Sequence, residues 1–248
     1  MPRFPRLHVG TSGWHYPHWI GPFYPPGLPA SEHLGFYARH LATVEINNTF
    51  YQMPAAERFR AWKEATPAGF RFAVKASRYM THMKKLKDPE DALERFLDRV
   101  RLLGEKLGPI LFQLPPRWGC HAERLERFLA LLPPGHRYAF EFRDPSWFCD
   151  AVYGRLREQG AAFCIYELAG ERSPLVLTAD FAYVRLHGPA RRKYSGLYSP
   201  QALSAWVRRF RTWGERVRDV YLYFDNDEAG YAVRNALQVQ RMTAGGLS

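Results

Sequence analysis

Short apolar, β-prone runs recur eight times along the chain, and most of them end in a polar or charged residue. They are LHVGTSGW from Leu7, TVEIN from Thr43, FRFAVKA from Phe70 and ILFQL from Ile110. YAFEFR from Tyr138, AAFCIYE from Ala161, AYVRLHG from Ala182 and VYLYFDN from Val220 complete the set. Amphipathic, helix-like stretches lie between and after them, at about 31–40, 55–65, 89–106, 122–132, 146–159, 200–217 and 228–241. Ser31, Asp88 before Pro89, Ser146 after Pro145 and Ser199 before Pro200 read as helix starts. Gly69, Gly108, Gly135 and Gly160 stand where helix stops belong. The sixth connection, LAGERSPLVLTAD, holds Pro174 and a short β-like VLT, and predicts an irregular crossover. Eight strands alternating with helices in 248 residues predict an α/β fold, a (β/α)8 TIM barrel, as one domain over 1–248.

In such a fold the chemistry sits at the C-terminal ends of the strands, and alternate strand residues point inward. Bulky apolar residues set the parity. Tyr138, Phe140 and Phe142 take the helix-facing side, leaving Glu141 and Arg143 to point in. The same argument turns Glu45 and Asn47, Lys75, Arg185 and His187, and Asp225 inward, with Gln113 near the end of the fourth run. Ser12 and either Tyr166 or Glu167 complete the ring. Charges inside a barrel are costly unless paired or used. An interior salt-bridge network, Glu141 with Arg143 or Arg185 and Glu45 with Lys75, is the structural explanation of them.

The loops add to this picture. HGPARRKYSGLYSP after the seventh run offers Arg191, Arg192, Lys193, Tyr194 and Tyr198, a set suited to gripping an anion. Tyr51, the segment WHYPHW from Trp14 and Trp147 offer aromatic surface for sugars or bases. RYMTHMKK from Arg78 adds His82 and further positive charge.

The net charge of +11, with 35 Lys and Arg against 24 Asp and Glu, favours anionic partners. An anionic small molecule comes first and nucleic acid second, although Arg spread over many helices also reads as solvated surface. Three cysteines without a CxxC spacing fit reduced thiols and a cytoplasmic protein. The chain starts without an apolar signal core, and no run nears the roughly 20 residues of a membrane span. No GxSxG, GxGxxG, P-loop or HExxH motif is present, which argues against the nucleophile, dinucleotide, nucleotide-phosphate and zinc chemistries that they signal.

Three functions fit these residues. The first is an enzyme, a hydrolase or isomerase acting by acid/base chemistry on a phosphate- or nucleotide-like small molecule without a cofactor. Glu45, Lys75, Glu141, His187 and Asp225 are its catalytic candidates. Asn47, Tyr51, Gln113, Arg143, Trp147 and Arg185 join the basic loop as substrate contacts. A Schiff base on Lys75 is a variant of this reading. The second is a non-catalytic nucleic-acid-binding protein. The third is a divalent-metal hydrolase or isomerase. Glu141, Glu167, His187 and Asp225 follow the order of carboxylate/His sets in metal-dependent barrels, but Arg143 and Arg185 would put positive charge beside the ion.

Seven stretches, VGTSGWHYPHWIGPFYP, VEINNTFYQMP, FAVKASRYMTH, FQLPP, FEFRDPSW, YVRLHG…YSGLYS and YLYFDND, occur in order over nearly the whole chain. Together they resemble the YecE-like family, domain of unknown function 72. The resemblance implies a TIM-barrel-type fold and carries no reaction with it. Asn48 stands where that family tends to have Ser, and Asp225 where Asn is common. The second difference implies that a carboxylate at 225 is not indispensable.

Overall fold

The computed structural model describes residues 4–244. Strands β1 (Arg6–Thr11), β2 (Thr43–Ile46), β3 (Arg71–Lys75), β4 (Leu107–Gln113), β5 (Tyr138–Glu141), β6 (Ala162–Leu168), β7 (Phe181–Leu186) and β8 (Asp219–Phe224) occupy the eight apolar runs. The helices between and after them are α1 (His33–Ala38), α2 (Asn48–Tyr51), α3 (Ala56–Glu64), α4 (Glu90–Val100), α5 (Ala122–Ala130), α6 (Asp150–Glu158), α7 (Pro200–Trp213) and α8 (Tyr231–Ala244). With strands alternating with helices and pairing in parallel, the fold class is α/β of the (β/α)8 type, as the pattern predicts. The contacts fall into two compact units interleaved along the chain. One holds residues up to Glu45, Ile165–Ser173 and those from Asp180 on, and the other holds Ile46–Cys164 and Pro174–Ala179.

In the first unit β8 pairs in parallel with β1 on one side and β7 on the other. Ser12, just past β1, bridges to Glu45 in β2. A Cβ on Gly10 would lie 2.1 Å from the Thr43 carbonyl oxygen, so only glycine lets the backbones come this close. Helix α7 buries Leu203, Trp206, Val207, Phe210 and Trp213, one stripe at helical spacing. The Ser199 hydroxyl accepts from the Ala202 N–H at 3.2 Å, and Pro200 opens the first turn, so this start signal performs as read.

In the second unit β3, β4, β5 and the start of β6 pair in parallel. Helix α4 buries Leu93, Phe96, Leu97 and Val100. Several local expectations change here. Gly108 lies inside β4, where a Cβ would sit 3.1 Å from the Phe72 carbonyl oxygen, and the chain turns instead at Gly104 with φ 57°. Ser31 caps nothing: it lies within a short 3-10 turn over Ala30–Glu32 in the first unit. The sixth connection has no helix among the described residues. Its VLT forms no strand, because the Thr178 side chain takes the place of a backbone ladder. That hydroxyl accepts from the Phe163 N–H at 2.7 Å and donates to the Ala161 carbonyl at 2.6 Å. In the first unit the end of β6 makes a hairpin instead, pairing antiparallel with Glu171–Arg172 across Ala169 and Gly170, both at positive φ.

Candidate functional site

Strand alternation places Glu45, Tyr183, Arg185 and, just past β7, His187 in one buried network of the first unit. The Glu45 carboxylate has no solvent exposure and accepts four hydrogen bonds. Ser12 Oγ donates at 2.7 Å, the Tyr183 hydroxyl at 2.6 Å, and Arg185 at 3.0 Å from Nε and 2.8 Å from Nη2. The two-point Arg185 contact is the geometry in which a buried carboxylate pair is strongest. A carboxylate so fully engaged is a fixed anchor.

Arg185 extends the network. Its Nη2 lies 3.3 Å from Asp225 Oδ2, and its Nη1 faces His187 Nε2 at 3.3 Å. A guanidinium can only donate, so His187 Nε2 is the accepting nitrogen. The Nδ1 then carries the proton and donates to Asp225 Oδ2 at 2.9 Å. Partners on both ring nitrogens therefore fix the imidazole as the neutral Nδ1–H tautomer. His187 is fully buried, whereas the Asp225 side chain is 18% exposed. Tyr194, on the basic loop, sets its ring edge-on to His187 at 5.5 Å. Tyr16 lies near Asp225, and burial together with the negative charge of Asp225 and Asp227 pushes its hydroxyl well above the usual tyrosine range. Asp227 accepts from the Trp19 indole at 2.6 Å and pairs with His18, and burial raises its carboxyl above the usual range.

The basic loop is anchored from within. Gly188 has φ 107°, and a Cβ there would sit 2.1 Å from the Ser195 carbonyl oxygen. Asn226 donates to the Gly196 carbonyl at 2.8 Å and to Asn235 Oδ1 at 3.0 Å, and Asn235 bonds the Tyr198 backbone at both its N–H and its C=O. Arg192 pairs with Glu228, while Arg191 and Lys193 are exposed. Tyr198 is buried, with its hydroxyl accepting from the Gly188 N–H at 3.2 Å, so it braces the loop from below.

The second unit gathers a different set. Glu141 is fully buried, pairs with Arg143 and accepts from the Cys164 thiol at 3.7 Å. Gln113 stands beside Glu141 in register. Lys75 Nζ lies 4.2 Å from the centroid of Phe50, and His82 meets the same ring edge-on at 4.9 Å. Burial and the charges of Lys75, Arg78 and Arg143 lower the His82 pKa to about 4. Asn47 precedes α2 with its Oδ1 buried and without a hydrogen-bond partner, and Tyr51 is 73% exposed. Trp147 offers no face to a ligand: it is fully buried, stacks on Phe142 at 4.9 Å and donates to the Trp118 carbonyl at 2.7 Å.

The metal reading finds little support in the donors. Among the described residues no three His, Cys, Asp or Glu side chains are grouped to hold an ion. Arg185 sets its guanidinium 3.3 Å from both His187 Nε2 and Asp225 Oδ2, which places positive charge where an ion would sit, and Glu167 is held by Arg172 Nε at 2.7 Å and by its Nη2. These residues do not fit a divalent ion as they stand.

Tyr183 and Asp227 escaped the sequence reading, and Tyr16 entered it only as part of the aromatic segment WHYPHW. Tyr183 shares the parity of Arg185, so alternation could have found it; Asp227 comes from a loop and carried no signal.

No helix among the described residues is long and apolar enough to cross a membrane. A family model described as a protein of unknown function, DUF72, matches residues 8–246. The UPF0759 protein YunF of Bacillus subtilis is 28% identical over 94% of this chain and 93% of its own length. The UPF0759 protein YecE of Escherichia coli is 32% identical over 57% of this chain and half of its own length. A crystal structure of a DUF72 family protein from Thermotoga maritima superposes with a TM-score of 0.88 at 31% identity, over 96% of this chain and 99% of that one. One from Enterococcus faecalis, at 20% identity, has a TM-score of 0.82 over 96% and 95% and shares the fold. The chain belongs to the DUF72 family, proteins of this fold whose function is unknown.

Proposed function

We propose that this protein is an enzyme, a hydrolase or isomerase, that works by acid/base chemistry of its own side chains on an anionic, phosphate-bearing small molecule. The observation that carries this reading is the doubly held imidazole of His187. Its Nδ1–H is oriented by Asp225, and its Nε2 lone pair points at a guanidinium contact of 3.3 Å, long enough to be exchanged for a substrate group. His187 Nε2 is the proton-transferring atom. Asp225 positions it, and Glu45 positions Arg185. An Asn at 225 would still accept the Nδ1–H, which agrees with the tolerance of Asn there that the family resemblance implies. The exposed Arg191 and Lys193, on the loop whose Tyr194 covers His187, supply the charge for a phosphate group.

The test is to incubate the protein in deuterated water with sugar phosphates and nucleoside monophosphates, following deuterium uptake at carbon and phosphate release by NMR. Turnover of one probe is expected. His187→Gln should abolish it, Asp225→Asn should keep most of it, and Asp225→Ala should lose it. Absence of any reaction across the panel would count against the enzyme. If an oligonucleotide then binds with a steep salt dependence that survives His187→Gln, the nucleic-acid-binding alternative takes its place.

A further inference from the structure

A second arrangement of charge in the first unit belongs to no part of the His187 network. A groove of about 380 Å³ runs between the hairpin after β6 and helix α7. Two guanidiniums converge on one indole there: Arg172 lies 5.3 Å and Arg209 5.2 Å from the Trp206 ring centroid. Trp206 is buried, so both cations rest on a rigid, apolar surface. The carboxylate of Glu167 is committed to Arg172, which it takes by Nε and Nη2. Arg209 makes no ion pair among the described residues. Burial and the like charge of Arg172 lower its pKa, a sign that the guanidinium charge is held at a cost. Ala202 and Ala205, with small side chains, leave the space in front of the guanidiniums open.

Of the two carboxylates that line the groove, Glu167 is engaged by Arg172, whereas Glu171 is exposed to water and in no ion pair among the described residues. The two gathered guanidiniums therefore still attract an anion that binds between them. The fork of a guanidinium matches the oxygens of a phosphate or a carboxylate. We infer that the Arg172–Arg209 groove is a binding site for a small oxyanion, a phosphate monoester or a carboxylate, separate from the site of the proposed reaction. It communicates with that site through one strand. The Glu167 backbone carbonyl accepts the His187 N–H at 2.9 Å, and the Glu167 side chain holds Arg172. The occupant is therefore placed to report on the His187 strand, as an effector would.

The experiment is a titration of the full chain with inorganic phosphate and, separately, with succinate, read by the Arg Nε–Hε cross-peaks in 15N NMR. Saturable movement of the Arg209 and Arg172 peaks with either anion is expected, and the anion that moves them identifies phosphate or carboxylate chemistry. Arg209→Gln leaves the Arg172–Glu167 pair in place and should weaken binding roughly ten- to a hundredfold. Trp206→Phe keeps an aromatic platform and should weaken it less. The double change Arg191→Ala with Lys193→Ala should leave these peaks moving, which separates this site from the loop invoked for the reaction. Arg209 peaks that stay still with both anions, or phosphate affinity unchanged by Arg209→Gln, would overturn the assignment.

Discussion

Glu45 with Arg185 in the first unit and Glu141 with Arg143 in the second are both buried carboxylate–guanidinium pairs, yet their surroundings differ. Around Glu45 every nearby group completes a hydrogen bond: a serine, a tyrosine and two arginine nitrogens fill the carboxylate, and the arginine passes on to His187 and Asp225. Glu141 pairs with Arg143 and accepts from a weak thiol donor, while Lys75, Arg78 and Arg143 together act on His82. Each region holds a neutral histidine for a different reason. His187 is neutral because its two partners dictate one tautomer, and His82 because burial, and then nearby cations, oppose a further charge. Hydrogen-bond closure builds a positioning device, whereas burial beside excess cation charge tunes a titration.

The strongest way to break this contrast is to remove one carboxylate at a time. Glu45→Gln leaves Arg185, only 1% exposed, without its two-point partner, and should cost about 3–5 kcal/mol in urea denaturation. Glu141→Gln should cost less, because the Arg143 side chain retains 8% exposure and can turn toward water. Equal losses would mean that the two pairs do the same structural work. Next in size is Gly188→Ala in the basic loop. A Cβ at 2.1 Å from a backbone oxygen, on a residue at φ 107°, should cost roughly 1–3 kcal/mol and disturb the Tyr194 contact with His187. Ser199→Ala removes the α7 cap and should lower stability by about 1 kcal/mol, leaving both charged regions unchanged.

Much of the first region was legible in the sequence, because strand alternation alone turns Glu45, Arg185 and His187 to one side. The same rule misses contacts that depend on loops. Trp147 reads as ligand surface because it follows the fifth strand, and only the fold puts Phe142 under it and the Trp118 carbonyl at its indole N–H. Arg192 reads as a free cation until Glu228, distant in sequence, comes beside it. Gly108 reads as a helix stop because local sequence does not say that a neighbouring strand will approach its Cα. His82 was visible only as added positive charge, since its neutrality arises from burial first and then from Lys75, Arg78 and Arg143 meeting it in the folded chain.

The smallest expected effect sharpens the second region. With its pKa lowered to about 4, His82 stays neutral in the folded protein while the unfolded chain takes up a proton near pH 6.5. The unfolded state thus binds more protons between pH 6.5 and 4, and its contribution to stability, complete above that window, is lost as the pH falls through it. The side chain is partly exposed, so solvent screens the effect and the slope should be shallow. The imidazole Cε1–H resonance is the direct readout, with a midpoint expected at about 4. Arg143→Gln should raise that midpoint by removing a cation, and Glu141→Gln should lower it by removing the one carboxylate that opposes them. If neither change moves the midpoint, the Glu141–Arg143 pair has no hold on this histidine, and burial with Lys75 and Arg78 sets its titration.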